Sequence, residues 1–138
     1  MPCILKTKVT SFMTNKTPKQ IFQEMPNWLS MSPSNKCGEA KYNQEYTAFC
    51  KAIGFTNDKF APSSEICKMD NSTMLITYIY TVGNKEHTGY FRNLIKNLQS
   101  LGVEVMIDNP STPRIHEIIE RHNLKIACWA RFLALGKL

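Results

Sequence analysis

Residues Thr73 to Val82 constrain the fold more than any other stretch of this chain. They read Thr-Met-Leu-Ile-Thr-Tyr-Ile-Tyr-Thr-Val, β-branched and aromatic throughout and apolar on both alternating sets. That pattern predicts a central strand covered on both faces. Gly83-Asn84 ends it. Phe91, Leu94, Ile95, Leu98 and Leu101 then recur at helical spacing, and Gly102 closes the helix. Val103 to Ile107 is a short strand. Asp108 to Pro113 is a loop that leads into a second amphipathic pattern, Ile115, Ile118, Ile119 and His122. Leu124 to Leu135 reads as a last strand or a bent hairpin arm. A strand–helix–strand order implies a right-handed crossover between parallel neighbours.

Upstream, Glu65 to Met69, Asp70-Asn71-Ser72 and Thr73 onward read as strand, turn and strand. Tyr42, Tyr46, Phe49, Cys50 and Ile53 define a helix, with Gly54 where a C-cap belongs. Thr17-Pro18 opens a helix through Ile21, Phe22, Met25 and Leu29, which Pro26 shortens or kinks. Ile4 to Thr10 alternates as a first strand would. Ser30 to Asn35 and Thr56 to Ser64 are loops on composition. The expected class is α/β or α+β: a single domain over residues 1–138, with a mixed sheet flanked by helices. Residues 1–71 form a less regular half with two short helices, and residues 72–138 a more regular one.

Composition narrows the function classes. At 138 residues with 43% apolar and 20% charged residues, the chain suits one soluble domain. No run approaches the length of a membrane span. Lys6 and Lys8 follow Met1-Pro2-Cys3-Ile4-Leu5, so no secretory h-region is visible and a cytoplasmic protein is expected. Cys3, Cys37, Cys50, Cys67 and Cys128 are odd in number and widely spaced, as reduced thiols would be. The net charge of +6 is spread out, with +4 in residues 1–60 and +3 in residues 85–138. Such a field helps any anionic ligand without choosing among them.

No phosphate loop of the Gly-x-x-x-x-Gly-Lys type, Gly-x-Gly-x-x-Gly, His-Glu-x-x-His or Gly-x-Ser-x-Gly occurs. His87, His116 and His122 are scattered, which argues against a metal site. The remaining candidate is a backbone site. Gly83 to Tyr90 runs from a buried strand straight into a helix N-terminus, where free amides and the positive end of the helix dipole suit an anion. Gly89 would let a phosphate approach the chain, and Lys85 and Arg92 would add charge. An ordinary strand–helix connection capped by Thr88 is the plain alternative.

From Leu75 onward the order of elements resembles the C-terminal half of the GNAT superfamily of N-acetyltransferases. Gly89-Tyr90-Phe91-Arg92-Asn93-Leu94-Ile95 is similar to that family's glycine motif with its paired apolar residues. Val105-Met106-Ile107-Asp108-Asn109-Pro110 is similar to its strand ending in Asn. The resemblance covers about 60 residues, and Glu86 and Phe91 depart from the motif. It implies an acetyl-CoA co-substrate with its pyrophosphate over the amides of Thr88, Gly89, Tyr90 and Arg92. Its pantetheine would pair with the strand Tyr78 to Val82, Thr81 and Val82 among its contacts, where that strand splays from Val103 to Ile107. Lys85 and Asn109 would support the ligand and order its loop. An amine acceptor must lose a proton before it attacks the thioester, and Asp108 and His116 are the nearby candidates to take it. A backbone amide near Ile79 to Thr81 would stabilise the oxyanion. Tyr78 and Tyr80 place two hydroxyls on one strand face, either as acceptor-site residues or, more commonly for Tyr, as core.

Besides a different βαβ fold with a small-molecule site at the carboxyl ends of its strands, two other classes stay open. One is a GNAT-like phage or viral protein that no longer catalyses and serves as a virion component or binds a host protein. The other is nucleic-acid binding, for which the charge and Trp28, Tyr42, Tyr46, Tyr90 and Trp129 would supply phosphate contacts and stacking. Against it, no recognition motif matches.

Overall fold

The capping signal at Thr17 is realised atom by atom. In the structure, a computed structural model that describes residues 15–34, 40–82, 89–108 and 113–127, helix α1 (Pro18–Glu24) begins with a capping box. Thr17 Oγ1 accepts from the Gln20 amide at 3.2 Å, and Gln20 Oε1 accepts from the Thr17 amide at 2.8 Å. Met25, forced out of helical geometry by Pro26, ends the helix in extended conformation. Strand β1 (Leu29–Met31) follows, so Leu29 belongs to the sheet and not to the helix, and Ser30 and Met31 belong to it and not to a loop. Local composition suggested a turn. Pairing with Lys68, Cys67 and Ile66 decides otherwise.

Helix α2 (Ala40–Ile53) ends before Gly54, whose φ of +82° is the left-handed geometry a helix exit needs. Strands β2 (Glu65–Asp70) and β3 (Thr73–Tyr78) form the expected hairpin. Helix α3 (Tyr90–Ser100), strand β4 (Glu104–Asp108), helix α4 (Pro113–His122) and strand β5 (Lys125–Ala127) complete the described chain. The sheet order is β1-β2-β3-β4-β5. β1, β2 and β3 pair antiparallel, whereas β4 runs parallel to both β3 and β5. The fold is a mixed α+β domain, as the strand–helix–strand order predicted. The first strand expected at Ile4 to Thr10 and the arm beyond Ala127 lie outside the described residues.

Side-chain alternation divides the sheet into unequal faces. Ile66, Met74, Ile76, Val105 and Ile107 point to the main core, against Phe22 of α1, Phe49 and Ile53 of α2, Leu94, Ile95 and Leu98 of α3, and Ile119 of α4. Cys67, Met69, Leu75 and Ala127 form a smaller cluster on the opposite face, with Met106 packed on it. The central strands are thus apolar on both faces because both faces are buried.

One core position breaks the apolar rule. Lys68 shares the main face with Ile66 and is fully buried. Its Nζ donates to the Gln23 carbonyl at 3.2 Å and to the Met25 carbonyl, and lies 5.1 Å from the centre of the Phe22 ring. These carbonyls sit at the C-terminal end of α1, where unpaired acceptors and the negative helix pole collect. Burial pulls the Lys68 pKa down, with the Asp70 charge opposing. The lysine therefore ties α1 to β2 from inside the core.

Candidate functional site

The candidate site begins with an irregularity in β3. Ile76 pairs with Ile66, but Tyr78 pairs with Glu65, so Thr77 is an extra residue on the β3 side. This is a β-bulge, which bends a strand and re-aims the side chains beyond it. Thr77 Oγ1 turns to the Glu65 carbonyl at 3.0 Å. Past the bulge, alternation changes parity. Ile79 packs on the main core, while Tyr78 and Tyr80 are 57% and 55% exposed. The two tyrosines are not core residues. The continuous apolar run hides this, because a bulge leaves no mark in composition.

The chain beyond Tyr78 is then claimed by the loop after α2. The Ala61 amide donates to the Tyr80 carbonyl at 2.8 Å, and the Val82 amide donates to the Lys59 carbonyl at 3.1 Å. Ser64, itself fully buried, donates its hydroxyl to the Tyr80 carbonyl at 3.0 Å and accepts from the Tyr80 amide at 2.9 Å. Consequently the Tyr80 amide is not available to an incoming ligand. In an extended chain the peptide groups of Ile79 and Thr81 face the other way, toward β4. The β3–β4 ladder ends at Ile76 and Ile107, so a gap opens on that side.

Two helices begin beside the gap. Gly89 stands at the N-cap of α3 with φ +82° and no side-chain cap. The Asn93 amide bonds back to the Gly89 carbonyl at 2.9 Å, which leaves the preceding amides of the first turn outside the helical ladder. A Cβ at Gly89 would meet nothing within 4 Å, so glycine is needed there for backbone conformation and not for room. From α4 come Arg114, Ile115 and Ile118. Together with Ile79, Tyr80, Thr81, Gly89, Phe91 and Arg92 they line a cleft of about 260 Å³. Among the described residues its apolar walls are Ile and Phe, and its charges are two guanidiniums.

The structure brings together some sequence-predicted residues and not others. Tyr80, Thr81, Gly89 and Arg92 line the cleft. Asp108 is half-buried at the carboxyl end of β4, and His116 is exposed on the second turn of α4. Val82 is held by Lys59. The Tyr90 ring packs away, edge-on to Phe60 at 6.5 Å between centres, with Lys59 Nζ 5.9 Å above it, so only its backbone faces the helix start. Lys85, Thr88 and Asn109 lie outside the described residues. Sequence reading missed Arg114, Ile115 and Ile118 as cleft residues. Helical spacing marks the two isoleucines as apolar face, but the face of a first turn that overhangs a strand end looks the same as core.

His122 sits at the other end of α4. Its Nε2 is buried without a hydrogen-bond partner among the described residues, and its carbonyl accepts from Gln99 Nε2 at 3.0 Å. Burial first, then the charges of Lys96, Arg92 and Arg121, hold its pKa below the usual histidine value. Cys50 is buried in α2, and burial pushes its thiol up to about 12, far from a reactive nucleophile. Among the described residues no three His, Cys, Asp or Glu side chains gather to hold a metal ion, and no helix is long and apolar enough to cross a membrane. Comparisons with protein-family models, curated proteins and solved structures give no match to this chain.

Proposed function

We propose that the chain is a GNAT-like N-acyltransferase that moves an acetyl group from acetyl-CoA to an amine. The observation that carries the reading is the gap opened by the Thr77 bulge between the carboxyl ends of parallel β3 and β4, flanked by the start of α3. An extended amide-bearing arm such as pantetheine would pair with the peptide groups of Ile79 and Thr81 as a short extra strand. Its phosphates would meet the first-turn amides after Gly89 and the charge of Arg92 and Arg114. The walls of Ile79, Phe91, Ile115 and Ile118 suit the methylene and thioester part.

The chemistry asked of the protein is modest. The attacking amine has to be neutral, so a base takes its proton. Asp108 at the end of β4 is the stronger candidate, because His116 is exposed on α4. An amide of Ile79 or Thr81 would donate to the thioester oxygen as charge gathers there. The carbonyl–nitrogen bond forms, the carbonyl–sulfur bond breaks, and the thiol of CoA leaves with a proton.

Calorimetric titration with acetyl-CoA and with CoA, at two salt concentrations, tests the reading. Micromolar binding that weakens with salt and with Arg92→Glu supports it. No binding at millimolar ligand would overturn it and leave the non-catalytic, partner-binding alternative. A second reading has its own observation. Exposed Tyr80 beside Arg92 and Arg114, with exposed Tyr78 two residues along the same strand, would stack and neutralise single-stranded nucleic acid. A salt-dependent shift of a short oligonucleotide, lost on Tyr78→Ala with Tyr80→Ala, distinguishes it.

A further inference from the structure

The amino ends of the parallel strands carry a second cleft, of about 220 Å³, at the opposite end of the sheet from the first. Met69 and Met106, which belong to the smaller face, form its floor. Trp28 forms one wall, and Asp70, Glu104 and Lys125 stand around it.

Trp28 is the unusual member. Its φ is +67°, a left-handed backbone that a bulky side chain adopts at a cost. The geometry is held because the Trp28 amide donates to the Lys68 carbonyl, on the strand that Lys68 ties to α1. The outcome is an indole left 42% exposed at the cleft instead of folded into the core. A strained residue whose side chain is held out at a cavity is the kind of feature that points to a ligand.

The charges say which ligand. Among the described residues Asp70 and Glu104 carry two negative charges and Lys125 one positive charge, so this lining is net acidic on a chain whose formal charge is +6. Lys125 is committed to Glu104, Nζ to Oε1 at 2.6 Å. Asp70 forms no ion pair among the described residues. Burial raises its pKa, but hydrogen bonds from Ser72 and Thr73 outweigh this and hold it below the usual value, so it stays ionised. Ser72 supplies two of these, its amide at 2.8 Å and its hydroxyl at 3.0 Å. An indole face, two polarisable thioethers and an ionised carboxylate together suit an organic ammonium group, whose charge is attracted by ring and carboxylate and whose methyl groups pack on sulfur.

We propose that this cleft binds an organic ammonium ion, with Trp28 as its aromatic wall and Asp70 as its counter-charge. The site is separate from the first cleft and does not rest on the acyltransferase reading.

The test uses choline as probe and neohexanol, its uncharged carbon analogue, as control. Trp28 emission is followed in a Trp129→Phe background, where Trp28 is the remaining tryptophan, and choline binding to the unaltered chain is followed by calorimetry. Saturable quenching by choline at millimolar concentration, absent with neohexanol and with potassium chloride of equal ionic strength, is expected. Asp70→Asn keeps the acceptor oxygen that orders the Ser72 turn, and should weaken binding about tenfold. Trp28→Leu should abolish it by calorimetry while leaving acetyl-CoA titration unchanged. The proposal is overturned if choline and neohexanol behave alike, if neither saturates, or if both variants bind choline as the parent does.

Discussion

The two ends of the sheet are built on different terms. At the carboxyl ends of β3 and β4 the cleft is made of backbone: a bulge, a splayed strand and the starts of two helices, with Arg92 and Arg114 among its walls. At the amino ends it is made of side chains: one strained Trp, two Met and a net negative charge. The first suits an extended anion and the second a compact cation. Helix dipoles do not oppose this division, because α3 begins at the carboxyl end of the sheet and points its positive pole there.

The largest effect is expected at Lys68, which ties α1 to the strand that also holds Trp28. Lys68→Ala leaves the Gln23 and Met25 carbonyls without their buried donor and opens a cavity under Phe22. Urea unfolding should show a loss of about 3 kcal/mol, and Lys68→Met, which restores volume alone, about half that. The folded fraction of Lys68→Met should lose choline-induced quenching of Trp28 and keep ligand binding at the first cleft. Equal damage to both ends would show that they are not separable.

A charge test sharpens the comparison from the other side. Arg92→Glu with Arg114→Glu should weaken acetyl-CoA binding about a hundredfold in calorimetry, and leave choline binding where it was. A smaller effect is expected at Gly89. Gly89→Ala meets no steric neighbour, yet places a Cβ at φ +82°, so thermal or urea unfolding should register about 1 kcal/mol. Ligand affinity should fall only if the first turn of α3 shifts.

The smallest effect is set by pH. The folded chain holds His122 below the usual pKa of 6.5, so between that value and its folded pKa the unfolded chain binds more protons. Stability should therefore decline as pH is lowered through this window. Urea midpoints at about pH 7.5 and about pH 5.5 should differ less in His122→Gln than in the parent. An identical slope in both would remove His122 from the account.

The difference between the ends also explains what the sequence disclosed. The carboxyl end lies at strand-to-helix transitions, and these are written locally. Val82 through Gly89 announces one by losing apolar residues, and Gly102 closes the helix that follows. Gly89 and Arg92 were reachable from that pattern, and Tyr80 and Thr81 entered through the resemblance to the acetyltransferase family. Arg114 was not, because only the parallel placement of β4 brings the start of α4 alongside α3. The amino-end cleft was illegible as a whole. Trp28, Asp70, Glu104 and Lys125 come from four separate segments, and no spacing rule connects them. β1 was hidden for a related reason: Ser-Pro-Ser-Asn dominates its neighbourhood, while its partners in β2 lie more than thirty residues away. Lys68 could be seen only as a charge in a strand, since its carbonyl partners belong to a helix outside the hairpin.

The bulge at Thr77 fixes the parity of everything after it. Straightening the bulge with Thr77 kept in the strand would make Ile79 and Tyr80 exchange faces, whereas deleting Thr77 would leave both where they are and keep the pairing of Ile66 with Ile76. Changes in loop length normally leave a site's chemistry alone. Here the loss of the bulge alone, with no change in chain length or residue identity, would rewrite which side chains a ligand meets. The pairing of the strand, and not only its residue types, is therefore what selects the side chains on display there.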